Sequence, residues 1–589
     1  MRRILKALWS SLALFLAFAS LAQAHSESYS FTFFEGTQYP LDVVFLRGHS
    51  DGPTIMVQGG IQGDETSGFI TAQVLTRANV RKGNLIIVPR ANIPSINLRK
   101  RQINVDMNRR FDQDYNIFYE DRLARVVRFL LSQSNALIHL HEGSGFYNPT
   151  YVDNLRNPKR YGQSIIVDAL VYGQWNLGNT VDTALAELNP GISPENYRFK
   201  LFNTRTFDNN TNYEEMRKSL TFYALTALDI PAMAVEVSKN ISQLDWKVHR
   251  QLEATIVLLR QYGVEADLPQ VLPEDLDCLA GNTALRVNGQ RLAPGETIDI
   301  APGSPLTFEP MDKPASGPAP SLAVFASDRP GVNLIHAPRL ALDAFNNIEI
   351  RSDGRKVGSA RVRLTGSISG GENVKSPVFV CWLNGRPVFL REGETLQAVL
   401  GDQLILEGIW GSSREEVLNL KGYVAKPHSN DGQDCGWEII LDPENFMDKY
   451  QLKSRAEVAA RLRVVRETPG MRRSEFYIAV MPRTIHALRL KSDTGQSLFI
   501  PWQPGGNFPL PEGRYVLEDA WSNGPADKLL TTANNLPVRT GASLAVSSGK
   551  PLQLALRQAT TFAPMGAMTF TAAQPAAAAA GRCPRHATR

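Results

Sequence analysis

A change of rhythm near residue 268 constrains this chain most. From 54 to 262, short apolar runs alternate with helical stretches. Thr54–Gln58, Asn84–Val88, Ala136–Leu140 and Ala232–Val237 read as strands. Pro89 stops the second, and Gly143 and Gly145 break the chain after the third. Helices are expected over 64–78, 118–132 and 241–262. In the second of these, Leu123, Val126, Val127, Leu130 and Leu131 recur at helical spacing. Such alternation argues for an α/β fold, a sheet with helices packed on it. After 268, Pro and Gly punctuate short alternating runs and helical periods nearly vanish, which reads as β-sandwich-like or barrel-like modules.

The β part contains a weak repeat. Val287–Ile298 resembles Leu383–Leu396, offset by 96 residues at Asn288/Asn384 and by 98 at Gly295/Gly393. Asn-Gly suits a tight hairpin turn. The expected division is a signal peptide over 1–24 and an α/β domain over 25–267. β domains follow over 268–372 and 373–483, then a further β segment over 484–570 and a disordered tail over 571–589.

The 589 residues are 43% hydrophobic and 21% charged, which excludes a mainly disordered, collagen-like or coiled-coil chain. Arg2, Arg3 and Lys6 form a basic start, Ala7–Leu21 an apolar stretch and Ala22-Gln23-Ala24 a small-x-small cleavage box. This is the secretory pattern, and it implies an exported protein. Without those three cations the net charge falls from +5 to +2, which leaves no excess to argue for nucleic-acid binding. No later segment reaches 18 apolar residues, so no stable membrane span is expected in the mature form. Export permits disulfides, and Cys381 with Cys435 is a possible pair.

Four points in the α/β region carry chemistry. They are Gly59–Glu65, Asn104–Phe111, His139–Phe146 and Glu236. The first, third and fourth lie at or just beyond strand ends, where open α/β sheets form their sites. Glu65 and a histidine are good zinc ligands, and a carboxylate such as Glu236 could deprotonate water held there. Strand alternation puts His139 and His141 on one side and does not choose between them. Gly143-Ser144-Gly145 is not Gly-x-Ser-x-Gly, so a serine-hydrolase nucleophile elbow is absent.

Taken in order, these points resemble the zinc carboxypeptidase superfamily, the funnelins. Gln62-x-x-Glu65 stands where that family has His-x-x-Glu, and Asp106-Met107-Asn108-Arg109 resembles its Asp-x-Asn-Arg. His141 matches its third metal ligand and Glu236 its general base. Glutamine in the first position, with His141-Glu-Gly-Ser-Gly-Phe146 and trailing β domains, resembles one branch more closely. That branch comprises the periplasmic cell-shape-determining D,L-carboxypeptidases. The resemblance implies a mixed sheet flanked by helices and a Zn2+ ion on Gln62, Glu65 and His141. It implies a carboxylate clamp of Asn108, Arg109 and a preceding arginine, Arg99 in first place and Arg101 in second. The implied substrate is a peptidoglycan stem tripeptide losing meso-diaminopimelate. Tyr213 stands 23 residues before Glu236, where related enzymes carry a substrate-capping tyrosine. The β domains could bind cell wall or protein partners. The alternatives are another metallocarboxypeptidase or amide hydrolase of the same superfamily, or a metal-free cell-wall-binding pseudoenzyme.

Overall fold

The computed structural model describes residues 27–573 except 277–284, 293–294, 311–319, 328, 338, 342–346, 367–375, 413–414, 425–431 and 453–457. The signal segment, Cys278, Cys583 and residues 574–589 lie outside the described residues.

The α/β half is built on β1 (Glu27–Phe33), β2 (Leu41–Arg47), β3 (Ser50–Gln58), β4 (Val80–Val88), β5 (Ala136–Gly143), β6 (Ser164–Val167), β7 (Lys200–Asn203), β8 (Ala232–Ser238) and β9 (Glu265–Ala266). They form a nine-stranded mixed sheet in the order β1-β2-β4-β3-β5-β8-β6-β7, with β9 paired to β4. The central run β4-β3-β5-β8 is parallel, and β6 runs antiparallel to β8. The centre is buried on both faces, and Val57, Ile138, Met233, Val235 and Val237 have no exposed surface. This is why these strands read as continuous apolar runs.

The helices that position the site are α1 (Thr66–Leu75), α2 (Ile93–Leu98), α3 (Tyr119–Leu131), α4 (Leu177–Leu188), α5 (Leu220–Leu228) and α6 (Leu244–Gln261). Helix α6 packs on α1, α4 and β8, while α5 packs on β8 and β5. Gln251 of α6 donates from Nε2 to the carbonyls of His141 and Val235, tying the ends of β5 and β8 together. The α/β class therefore stands, with additions. Strands β1, β2, β6, β7 and β9 and helices α2, α4 and α5 are absent from the sequence reading. β6 and β7 are four residues each, too short for alternation to register.

Beyond β9 the described residues form small β-sheets around four apolar clusters, the smallest of them between the first two β modules. Asn288-Gly289 and Asn384-Gly385 each close a two-residue hairpin, with φ of 48° and 80° in the first and 51° and 74° in the second. Positive φ at both positions is the type I′ turn that Asn-Gly favours. The last strand, Pro564–Ala572, runs into the stretch read as tail. Cys381 and Cys435 are both free thiols, which corrects the disulfide expectation. Leu406 pairs with Cys381 on one side and bridges Cys435 on the other. Two strand spacings separate the cysteines by about 9–10 Å, beyond the roughly 7 Å reach of a disulfide. Among the described residues no helix is long and apolar enough to cross a membrane.

Candidate active site

Strand register sets the site. His141, Glu236 and Ser164 lie side by side on β5, β8 and β6 at the carboxyl edge of the parallel strands. One step inward on the same face lie Gln58, His139, Ala234, Ile166 and Phe202. A cavity of about 410 Å³ opens over these rows. Its walls include Gln62, Glu65, Arg101, Asn108, Arg109, His139, His141 and Glu236.

Tight glycine packing delivers the first two of these. A Cβ on Gly59 would fall 2.3 Å from the carbonyl oxygen of Gly68, and one on Gly63 would fall 2.1 Å from the Ser95 carbonyl carbon. The loop after β3 therefore lies flat against α1 and α2. Glu65 is the N-cap residue of α1 but makes no capping bond, so its carboxylate points into the cavity. Glu142 caps the helix instead, its Oε1 accepting from the amide of Ser67 at 2.6 Å and from Lys247 Nζ at 3.0 Å.

The polar contacts converge. His141 Nδ1 lies 2.8 Å from Glu65 Oε2. Gln62 donates from Nε2 to both oxygens of Asp106 at 3.1 Å, which turns Oε1 away from that carboxylate. Arg101 binds Asp106 at 2.9 Å and approaches Glu65 at 3.6 Å. Asn108 accepts the amide of Leu220 on Oδ1 at 3.1 Å, which leaves Nδ2 as a donor. Burial pushes the Glu236 carboxyl up to about 7, partly opposed by His141. Burial would lower the His141 imidazole, but the charge and hydrogen bond of Glu65 outweigh it and raise it. Burial lowers the Arg109 guanidinium, opposed by Asp106 and Glu215.

Every expected site residue but one borders this cavity. Arg99 is the exception and a correction. It caps α2 in the left-handed region, with φ of 50°. Its side chain lies against Gly354 of the first β module, where an added Cβ would meet Arg99 Cγ at 2.4 Å. Two residues on, the chain has turned back and Arg101 enters the cavity. Tyr213 also borders it, as do Ile166, Phe202, Thr204, Met216, Thr221 and Lys239, which sequence reading did not single out. Lys239 immediately follows β8, so its place was open to the strand-end argument.

The donor set suits a divalent cation. Among the described residues no three His, Cys, Asp or Glu side chains gather as a metal site. Beside Glu65 and His141, the amide oxygen of Gln62, turned away from Asp106, would be the third donor. One imidazole nitrogen and two oxygens fit zinc.

Residues 39–274 match the family model described as carboxypeptidase controlling helical cell shape, catalytic. That segment is a domain of the zinc carboxypeptidase superfamily. The family so described is one of hydrolases, which supports hydrolysis as the class of chemistry. A curated relative, an N-alpha-acetyl-L-2,4-diaminobutyric acid deacetylase of Halomonas elongata, is 33% identical over 100 residues, 16% of this chain and 29% of the relative's length. A solved structure of tripeptide-bound cell shape determinant Csd4 from Helicobacter pylori is 20% identical with a TM-score of 0.42, covering 73% of this chain and 96% of that one. A succinylglutamate desuccinylase/aspartoacylase from Rhodobacter sphaeroides is 17% identical with a TM-score of 0.28, covering 39% of this chain and 61% of that one.

Proposed function

We propose that this chain is an exported zinc D,L-carboxypeptidase that trims peptidoglycan stem tripeptides to dipeptides, releasing meso-diaminopimelate. The observation that carries the reading is one cavity bordered by Gln62, Glu65 and His141, by Glu236, and by Asn108, Arg101 and Arg109. The family match over 39–274 supports it. Export through the 1–24 segment would place the enzyme in the periplasm. The catalytic domain would span 25–267. The β domains over 268–372, 373–483 and 484–570 would be free to meet wall or protein partners.

Gln62, Glu65 and His141 would hold the zinc. Bound there, it would supply Lewis-acid activation of water and of the scissile carbonyl. The amide oxygen of Gln62 is a poorer donor than imidazole, so the metal exchanges more readily than on three strong ligands. Glu236 takes a proton from the attacking water and returns it to the leaving amine, as its buried position beside His141 allows. Arg109 grips the free carboxylate of the terminal residue, Asn108 Nδ2 adds a donor, and Arg101 takes the role expected of Arg99. The deacetylase match favours one second reading, an amide hydrolase acting on acyl-amino acids.

The test incubates purified mature protein and zinc with muropeptides carrying tri-, tetra- and pentapeptide stems, with products read by mass spectrometry. Loss of diaminopimelate from the tripeptide alone, abolished by Glu236→Gln, is expected. An intact tripeptide with zinc bound overturns the peptidoglycan assignment and sends the search to acyl-amino acids. Failure to bind zinc overturns the metalloenzyme reading in favour of a wall-binding protein.

A further inference from the structure

Glu65 stands where its own helix would claim it. It is the N-cap residue of α1, and a helix start presents unpaired amides and partial positive charge that draw the nearest carboxylate. Asp64, one residue earlier, is engaged by Lys239 Nζ at 2.7 Å. Yet the Glu65 side chain makes no capping bond. It reaches instead to His141 Nδ1 at 2.8 Å and accepts the amide of Glu142 at 3.2 Å.

The capping place is taken from β5. Glu142 Oε1 accepts the amide of Ser67, the second residue of α1, at 2.6 Å. That is an amide an N-cap side chain ordinarily serves. The two carboxylates have thus exchanged partners: Glu65 takes the Glu142 amide, and Glu142 takes an amide of the helix that Glu65 begins. The exchange buries a second carboxylate, for Glu142 is 5% exposed. Lys247 of α6, 7% exposed, offsets that charge with Nζ 3.0 Å from the same oxygen. Gln251 lies one turn further along α6, binds the carbonyl of His141 and accepts Thr71 Oγ1 of α1 at 3.1 Å. One face of α6 therefore fastens both β5 and α1, the elements that carry His141 and follow Glu65.

We propose that Glu142 is a positioning residue: it caps α1 in place of Glu65 and so leaves the Glu65 carboxylate for the metal, with Lys247 holding it in that role. Without an acceptor from Glu142, the Ser67 amide draws Glu65 onto its own helix and away from His141. The proposal rests on the metal reading of the cavity and explains how the site is kept ready for the ion.

The experiment measures zinc affinity of the mature chain by competition with a chromophoric chelator, and thermal unfolding of the metal-free protein. Two double variants remove both buried charges together, so that neither leaves an unpaired ion. One joins Glu142→Gln to Lys247→Met, the other Glu142→Ala to Lys247→Met. They differ in whether an oxygen reaches the Ser67 amide. Partners that orient a ligand tune metal affinity by roughly 10- to 100-fold, and the alanine double variant should lose that much while the glutamine one stays near wild type. Glu142→Asp keeps the charge beside Lys247 but falls one methylene short of the amide, and it should lose zinc affinity as the alanine variant does. A crystal structure of the metal-free alanine variant should show Glu65 on the Ser67 amide. A merely structural role would lower unfolding midpoints without separating the zinc affinities of the glutamine and alanine variants. If wild type binds no zinc, the metal reading falls and this proposal with it. If wild type binds zinc and the alanine and aspartate variants bind it as tightly, the positioning role is overturned while the carboxypeptidase reading stands.

Discussion

The cavity and the junction of the last β module with the α/β core are both buried and both polar, yet they are built oppositely. At the junction Phe562 inserts between Phe33 and Phe129, with ring centroids 5.5 and 5.2 Å away, and Arg557 lies 4.5 Å over its ring. Most of the polar groups around it are paired, Arg122 Nε and Arg557 Nε excepted. Tyr39 Oη donates to the carbonyl of Thr560 at 3.1 Å, Arg122 donates to Tyr39 Oη at 2.9 Å, and Arg125 donates to the carbonyl of Thr561 at 2.8 Å. In the cavity His139 has no partner, and Glu236 is buried as an acid that gives up its proton reluctantly. The difference separates two uses of burial. Largely satisfied groups hold domains together, while a wholly unpartnered imidazole and a buried acid face the cavity.

Glu236→Gln tests one side of this contrast most severely. Loss of a general base should lower kcat by about 10²–10⁴-fold, with the midpoint of thermal unfolding unchanged or raised, because a buried acid is replaced by a neutral isostere. A fall in stability matching the fall in activity would erase the distinction. Phe562→Ala tests the other side. It should cost about 3–5 kcal/mol, read as a lowered unfolding midpoint, with turnover per folded molecule preserved because Phe562 does not border the cavity.

Next in size is Gly143→Ala. An added Cβ would sit 1.8 Å from Glu236 Oε2 and 2.5 Å from Gly162 Cα, so the carboxylate must move. Displacing a reacting group by an ångström costs about 100-fold, and that loss should appear in kcat while zinc binding persists. An active Gly143→Ala enzyme would show that Glu236 is not held where it works.

Much of this was legible in the sequence where the cause is local. Strands β3, β5 and β8 declare themselves by apolar runs, and Gln62, Glu65, His141 and Glu236 stand at their ends. Arg99 misled because a single left-handed residue redirects the chain, and its side chain packs against a module more than 250 residues away. Thr204 was invisible because β7, which it follows, is too short to show a pattern, and the pairing of β6 with β7 brings together residues far apart in sequence. The hold of Phe562 on the α/β core has no local signal at all, since its partners Phe33 and Phe129 lie more than 400 residues earlier.

The smallest expected effect sharpens the contrast from the structural side, through pH. Glu438 lies between the α/β half and the second β module, its Oε2 accepting the amide of Gln38 at 2.6 Å. Burial pushes its carboxyl from 4.5 up to about 7, opposed by the Gln38 bond and by the charges of Arg122 and Lys528. A raised acid keeps its proton in the folded state over a range where the unfolded chain has released it. Its contribution to stability is therefore complete below about pH 4.5 and is lost as pH rises through about 7. Glu438→Gln has no proton to lose, so the stability difference between wild type and variant should shift in the variant's favour by about 1–2 kcal/mol between pH 5 and 7.5. Denaturant titrations at the two pH values measure it. Parallel behaviour of the two proteins would mean that Glu438 releases its proton as readily in the folded state as in the unfolded chain, so that its burial carries no pH-dependent penalty.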